Sequence, residues 1–144
     1  MRFKVAVALG LLLLGCRTEL HSLDEAERWF RTGRFVDARA RYVDLSVSRN
    51  PRVQVLALVG AARTADRLHD HRDARRLLEQ AVTLAEVPGA SAEAYLEYAE
   101  HLRGDGERDL ALNYYYRAAR ASSDRKDSYI YQHAVTAIAA LSVQ

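Results

Sequence analysis

GRFVDARARYVDL, residues 33–45, returns twice in altered form, as HDHRDARRLLEQAVTL at 69–84 and GERDLALNYYYRAAR at 106–120. Laid on Ala38, Ala74 and Ala111, the copies lie 36 and 37 residues apart. Four residues after each alanine stands a large apolar side chain, Tyr42, Leu78 or Tyr115, and three further on come Leu45, Ala81 and Ala118. That i, i+4, i+7 spacing is one face of an α-helix. Upstream of each copy a second set matches: Ala26, Ala62 and Ala99, followed three residues later by Trp29, Ala65 and Leu102. Small residues let two helices approach closely, and the large ones fill the space between neighbouring pairs. The chain therefore reads as a helical hairpin written three times, and such units bury their apolar faces only by stacking.

Working outward, the breaks between helices are chemically marked. Ser22-Leu23-Asp24-Glu25 has the form of a capping box, Asn50-Pro51 of an N-cap followed by proline at the first helical position. Asp70 and Ser91 are placed to cap the helices after them, and Ser122 to Asp124 supply candidates for the last. Gly33, Pro88-Gly89 and Gly104-Asp105-Gly106 supply the stops. The reading is all-α, with seven helices at about 22–32, 35–48, 51–68, 71–86, 91–103, 107–121 and 125–142. In the last helix Ile130, Ala134, Ala137 and Leu141 form one apolar stripe and Tyr131, Val135 and Ile138 another. It is expected to cap the stack, while its second stripe leaves a homodimer or a partner-completed fourth hairpin open.

The N-terminus reads differently. Met1-Arg2-Phe3-Lys4 is basic, and Val5 to Cys16 is an uncharged run of twelve residues ending Leu11-Leu12-Leu13-Leu14-Gly15-Cys16. A basic head and a short apolar stretch form a secretory signal pattern; about 20 apolar residues would be needed to span a bilayer. Leu13-Leu14-Gly15-Cys16 resembles the lipobox of bacterial lipoproteins. The resemblance implies cleavage after Gly15 and a lipid on Cys16, the only cysteine of the chain. Two or three acyl chains anchor stably where one does not. Arg17 stands where some lipoproteins carry the aspartate of inner-membrane retention, so the expectation is the outer membrane, facing the periplasm. The organisation expected is a signal peptide at 1–15, lipidated Cys16 and a short linker at 16–21, three hairpins at 22–121 and a capping helix at 122–144.

With a single cysteine the chain forms no internal disulfide and no cysteine-ligated zinc site. Lys plus Arg number 21 against 19 Asp plus Glu, and removing the leader takes away Arg2 and Lys4 and no acid, leaving 19 of each. A nucleic-acid partner would call for a basic surplus, and none is expected.

The three hairpins resemble the tetratricopeptide repeat (TPR), whose 34-residue helix-turn-helix unit carries small residues at such places. The resemblance covers about residues 20–121. It implies a solenoid whose first helices line a groove for protein or peptide partners. Carried over position by position, it places Glu27, Phe30 and Arg31 of the first repeat in that groove. From the second come Arg63, Asp66 and Arg67, and from the third Leu96, Glu97, Glu100 and Arg103. The five-residue pattern by which some relatives clamp a C-terminal carboxylate is not reproduced. The function expected is a membrane-anchored scaffold lipoprotein assisting assembly of an envelope complex such as a pilus, secretion or outer-membrane machine. It is not expected to be an enzyme or to need a cofactor beyond the lipid.

Two other readings remain open: a homo-oligomeric structural lipoprotein, and an envelope enzyme or metal-binding protein using His69-Asp70-His71 with Asp73. Histidines and carboxylates are metal ligands, but Asp70 and Asp73 have ordinary roles at a helix start. His21, His101 and His133 look isolated. Phosphate loops and nucleophile elbows are lacking. In Tyr114-Tyr115-Tyr116 the middle ring is expected inside and at least one neighbour outside.

Overall fold

In the computed structural model the described residues are 18–85, 90–125 and 128–143; the leader and Cys16 lie outside them. These residues form seven helices and no strand. They are α1 (18–31), α2 (Phe35–Leu45), α3 (Pro51–Arg67), α4 (His71–Leu84), α5 (Ser91–Gly104), α6 (Arg108–Ala121) and α7 (Tyr129–Ser142). From α2 onward each helix touches only helices one or two places away along the chain. Among the described residues no helix is long and apolar enough to cross a membrane.

Three tight turns, α1–α2, α3–α4 and α5–α6, share one backbone geometry. Gly33, His69 and Gly106 take positive φ of 80°, 63° and 79°. In each turn the next residue's N–H reaches back five residues: Arg34 to Trp29, Asp70 to Ala65 and Glu107 to Leu102, all at 2.9 Å. This is a Schellman closure, which satisfies carbonyls that the helix end leaves unpaired. Glycine adopts the left-handed conformation without penalty; His69 does so at a cost. The carbonyls of Arg34, Asp70 and Glu107 then start the following helix by accepting from Ala38, Ala74 and Ala111.

The alanines seen in the sequence are the contact points. Ala26, Ala62, Ala99, Ala38, Ala74 and Ala111 are all 0% exposed, with Tyr42, Leu78 and Tyr115 buried beside them. Gly60 is demanded by packing: a Cβ there would collide with the Tyr42 ring, so α2 and α3 close over a site with no room for a methyl group. Tyr115 is buried and Tyr116 exposed. Tyr114 packs edge-on against Tyr98, ring centroids 4.7 Å apart, with the Arg117 guanidinium over Tyr95 and Tyr114.

Several boundaries depart from the sequence reading. Ser22 is no cap: its hydroxyl donates to the Thr18 carbonyl at 3.0 Å inside a helix already formed at 18. The extra turn is held from outside, where Ser48 donates to Glu19 at 2.9 Å. The second helix ends at Leu45, three residues early, because the Ser46 hydroxyl turns onto the Val43 carbonyl. Asn50 and Asp70 cap as expected, accepting from Arg52, Val53 and Asp73 amides. Ser91 does not: it lies within α5, and buried Ala90 takes the cap position without a side-chain bond. The last helix starts at Tyr129, capped by Ser128 accepting from Tyr131; Ser122 is spent on the Ala118 carbonyl. On α7, Ile130, Ala134, Ala137 and Leu141 face the core as predicted, and Ile138 joins them from the second stripe.

Candidate binding groove

α1, α3, α5 and α7 lie side by side: Glu27 of α1 meets Arg63 of α3, and α5 packs on both α3 and α7. Their shared face carries three clefts. The α1–α3 cleft, about 280 Å³, has an apolar floor that includes Leu23, Val59 and the Gly60–Tyr42 contact. The α3–α5 cleft, about 360 Å³, runs between Asp66 and Asp105. The α5–α7 cleft is the largest of the three, about 710 Å³, lined by Ala137, Ala140 and Leu141 together with Glu100, Arg103 and His133. Arg63 and Glu97 border both of the first two, and Glu100 borders the second and third, so the three clefts adjoin one another along this face.

A polar ladder crosses this face. Glu27 accepts from the Tyr42 hydroxyl at 2.9 Å and from Arg63 at 3.3 Å, and Arg63 also lies 3.8 Å from Glu97. Burial, reinforced by the Glu27 carboxylate, pushes the Tyr42 hydroxyl well above its ordinary value. Asp66 accepts from His71 at 2.9 Å and from His101 at 3.2 Å. Glu100 accepts from Tyr115, Arg103 and His133, the last at 2.7 Å. Donation from His133 Nε2 leaves its Nδ1 to accept from the Tyr129 hydroxyl at 3.0 Å.

Two carboxylates one turn apart on α5 end in opposite electrostatic states. Desolvation raises the Glu97 carboxyl above its ordinary value; Arg63 offsets this, while Glu100 and Asp66 add to it. Desolvation acts on Glu100 too, but hydrogen bonds from Tyr115, Arg103 and His133 outweigh it and hold that carboxyl below its ordinary value.

Of the residues predicted for the groove, Glu27, Arg63, Asp66, Glu97, Glu100 and Arg103 line these clefts together. Phe30 and Arg67 sit in a separate cluster. Phe30 packs edge-on against Phe35 at 5.6 Å with the Arg63 guanidinium 4.4 Å from its ring, and Arg67 covers Phe35 at 4.9 Å. Arg31 is exposed and borders none of the three clefts. Leu96 is a correction: it is 5% exposed and part of the core, because its position on α5 faces inward.

His101 and His133, isolated in the sequence, are groove residues. The signal for His133 lay in the spacing: it follows Glu100 by 33 residues, much as Glu97 follows Arg63 by 34. Around His69, Arg39 reaches Asp73 at 2.6 Å and Asp70 at 3.4 Å, and Asp70 also caps α4. The His69 and His71 rings lie edge-on, centroids 6.3 Å apart. Among the described residues no group of three or more His, Cys, Asp or Glu side chains is placed to hold a metal ion.

The chain matches no protein-family model and no curated protein.

Proposed function

We propose that this chain is a lipid-anchored scaffold of the bacterial envelope, a TPR-type stack of three hairpins whose first helices bind a protein partner. The observation that carries the reading is the row of adjoining clefts along α1, α3, α5 and α7, bordered in each hairpin by the equivalent positions Glu27, Arg63 and Glu100. The shared turn at residues 33, 69 and 106 supports the repeat. The lipobox supports membrane attachment through Cys16, outer-membrane placement following from Arg17. Anchoring raises the local concentration of the groove at the membrane, so modest contacts suffice.

The test is recovery of partners from detergent-solubilised envelope by the native lipoprotein. Thr136→Arg with Ala140→Arg, both at exposed positions bordering the largest cleft, should fill it and abolish recovery of a specific component at unchanged helicity. Equal recovery would overturn the groove reading. Separately, Cys16→Ser should move the protein from the detergent phase to the aqueous phase; if it stays, the lipid assignment fails.

A second reading, a homo-oligomer through the last helix, has one observation in its favour. Ala26, Ala62 and Ala99 are fully buried, whereas Val135, 36 residues after Ala99, is 41% exposed. The face that α1, α3 and α5 bury is thus uncovered on α7. Sedimentation of the native chain and of Val135→Glu decides: a dimer that the substitution dissolves favours this reading, and a monomer removes it.

A further inference from the structure

The two edges of the stack hold their arginines differently. Successive helices run antiparallel, so the tight turns at 33, 69 and 106 share one edge, where Arg39 reaches Asp70 and Asp73 and Arg75 reaches Glu107. The start of α1 and the connections after α2, α4 and α6 share the other, where Ser48 meets Glu19. Around the tight turns Arg34, Arg39, Arg75, Arg76 and Arg103 are in ion pairs. Arg67 lies over Phe35 and Arg108 donates to the Leu141 carbonyl, which leaves Arg31 and Arg72. At the opposite edge Arg49, Arg52, Arg120 and Arg125 are all exposed, and none forms an ion pair among the described residues. The exposed carboxylates described beside them are two, Asp44 and Asp124.

That basic edge is apolar as well. Val47 is 80% exposed, and Val43 and Leu84 are exposed with it. Val47 and Leu84 line, together with Leu58, an open cleft of about 570 Å³ where α2, α3 and α4 meet. Leu20 projects from the first turn of α1 and Tyr129 from the start of α7. Exposed aliphatic side chains among unpaired arginines suit a membrane interface, where apolar parts enter the headgroup layer and guanidinium groups meet phosphates. Tyrosine suits the same depth. Chain length decides which edge meets the bilayer. Arg17 alone stands between Cys16 and Thr18, where α1 begins. A lipid on Cys16 therefore holds the start of α1 within about 7 Å of its attachment point.

We propose that this edge, centred on Val47, Arg49, Arg52 and Leu84, lies on the bilayer surface, its arginines on anionic phospholipid headgroups and its aliphatic side chains among them. The assignment rests on the lipid anchor at Cys16 and supplies what the anchor alone leaves free, the direction in which the stack faces. A stack tethered at one end swings; a second contact along its edge fixes it, and tether and edge then bind as one unit. The helices stand on the membrane, the clefts of α1, α3, α5 and α7 open sideways along it, and the turns at 33, 69 and 106 point away.

With Cys16 acylated, an introduced cysteine is the one free thiol. A fluorophore can therefore be placed at Val47→Cys on this edge or at Arg72→Cys, exposed on the far edge. The full lipoprotein is reconstituted into vesicles of phosphatidylethanolamine and phosphatidylglycerol doped with a phospholipid that carries a nitroxide on its headgroup. The Val47 label should be strongly quenched and the Arg72 label scarcely at all. Arg49→Glu with Arg52→Glu changes two exposed positions, the second in the first turn of α3, where a carboxylate suits the helix dipole. It should bring the Val47 label down to the level of the Arg72 label, at unchanged helicity and with the protein still floating with the vesicles. Exchanging phosphatidylglycerol for phosphatidylcholine should weaken the quenching too. Equal quenching of the two labels, or quenching at Val47 that the double substitution leaves unchanged, would overturn the assignment. Flotation separates it from the reading beneath it: a native chain that floats with Val47 unquenched refutes edge docking and leaves the anchor standing, whereas one that floats no better than Cys16→Ser removes both.

Discussion

The middle hairpin and the two that flank it share a backbone but differ in chemistry. The outer hairpins pair a buried tyrosine with a glutamate fifteen residues earlier, Tyr42 with Glu27 and Tyr115 with Glu100. The middle one has Leu78 and Arg63 at those places. The outer hairpins turn on glycine, the middle one on His69. Neither flanking second helix has a side-chain cap, whereas Asp70 caps the middle one. What the stack requires at each position is therefore volume and a satisfied neighbour rather than one residue type, and reversing the charge at Arg63 lets the middle hairpin link Glu27 to Glu97 across three helices.

The comparison breaks most readily where volume is removed. Leu78→Ala empties a fully packed position and should cost about 2–5 kcal/mol by denaturant titration. Tyr115→Phe keeps the ring but strips Glu100 and Arg103 of their shared hydroxyl, and should cost only about 1–2 kcal/mol. Equal losses would mean that the hydroxyl matters as much as packing.

Adding volume is the next largest disturbance. Gly60→Ala drives a methyl group into the Tyr42 ring, which is buried and tied to Glu27. A loss of about 1–3 kcal/mol is expected despite alanine's better helix propensity, and a gain would show that the ring can shift.

The two α5 carboxylates sharpen the contrast through pH. Glu100 has a lowered folded value, so its stabilisation is present above the ordinary carboxylate range, about 4.3, and is lost as pH falls through that lowered value. Glu97 has a raised folded value, so ionising it weakens the fold at neutral pH, and stability rises as pH falls through that raised value. Thermal melts should therefore show Glu100→Gln less stable than the native chain at pH 7 and Glu97→Gln as stable or more so. The Glu97→Gln advantage should disappear toward pH 4. The reverse order would contradict the opposed states of the pair.

The smallest effects belong to the turns. Gly106→Ala meets no steric neighbour but must hold φ near 79°, at a cost of about 1–2 kcal/mol. His69→Gly should stabilise by less than about 1 kcal/mol, since the relieved strain is partly offset by a more flexible unfolded chain. A loss would mean that the His69 side chain contributes something beyond the turn.

Much of the helical arrangement was legible because it rests on a period: every alanine used to align the hairpins is buried, and of the caps read before helical runs Asn50 and Asp70 form, whereas Ser22 and Ser91 lie inside their helices. What the sequence left hidden depended on distant partners. The early start of α1 depends on Ser48 reaching Glu19, and the places of His101 and His133 on α3–α5 and α5–α7 pairings. Leu96 was misjudged for a related reason. A groove position transferred by repeat register can fall on the inward side of a helix, and an apolar residue there is drawn into the core, while Glu97 beside it stays half-buried at the surface.

Because each helix from α2 to α7 touches none more than two places away, these helices make no pairing that closes a long loop among the described residues. The entropic barrier to organising them is correspondingly low, which places the stack among fast-folding topologies. Local opening is expected first in α7, which among helices α2 to α7 packs only on α5 and α6. Amide exchange should be slowest in α3 to α5, flanked on both sides, and fastest in the mostly exposed last turn of α7, so the centre would hold its register while that turn frays and reforms.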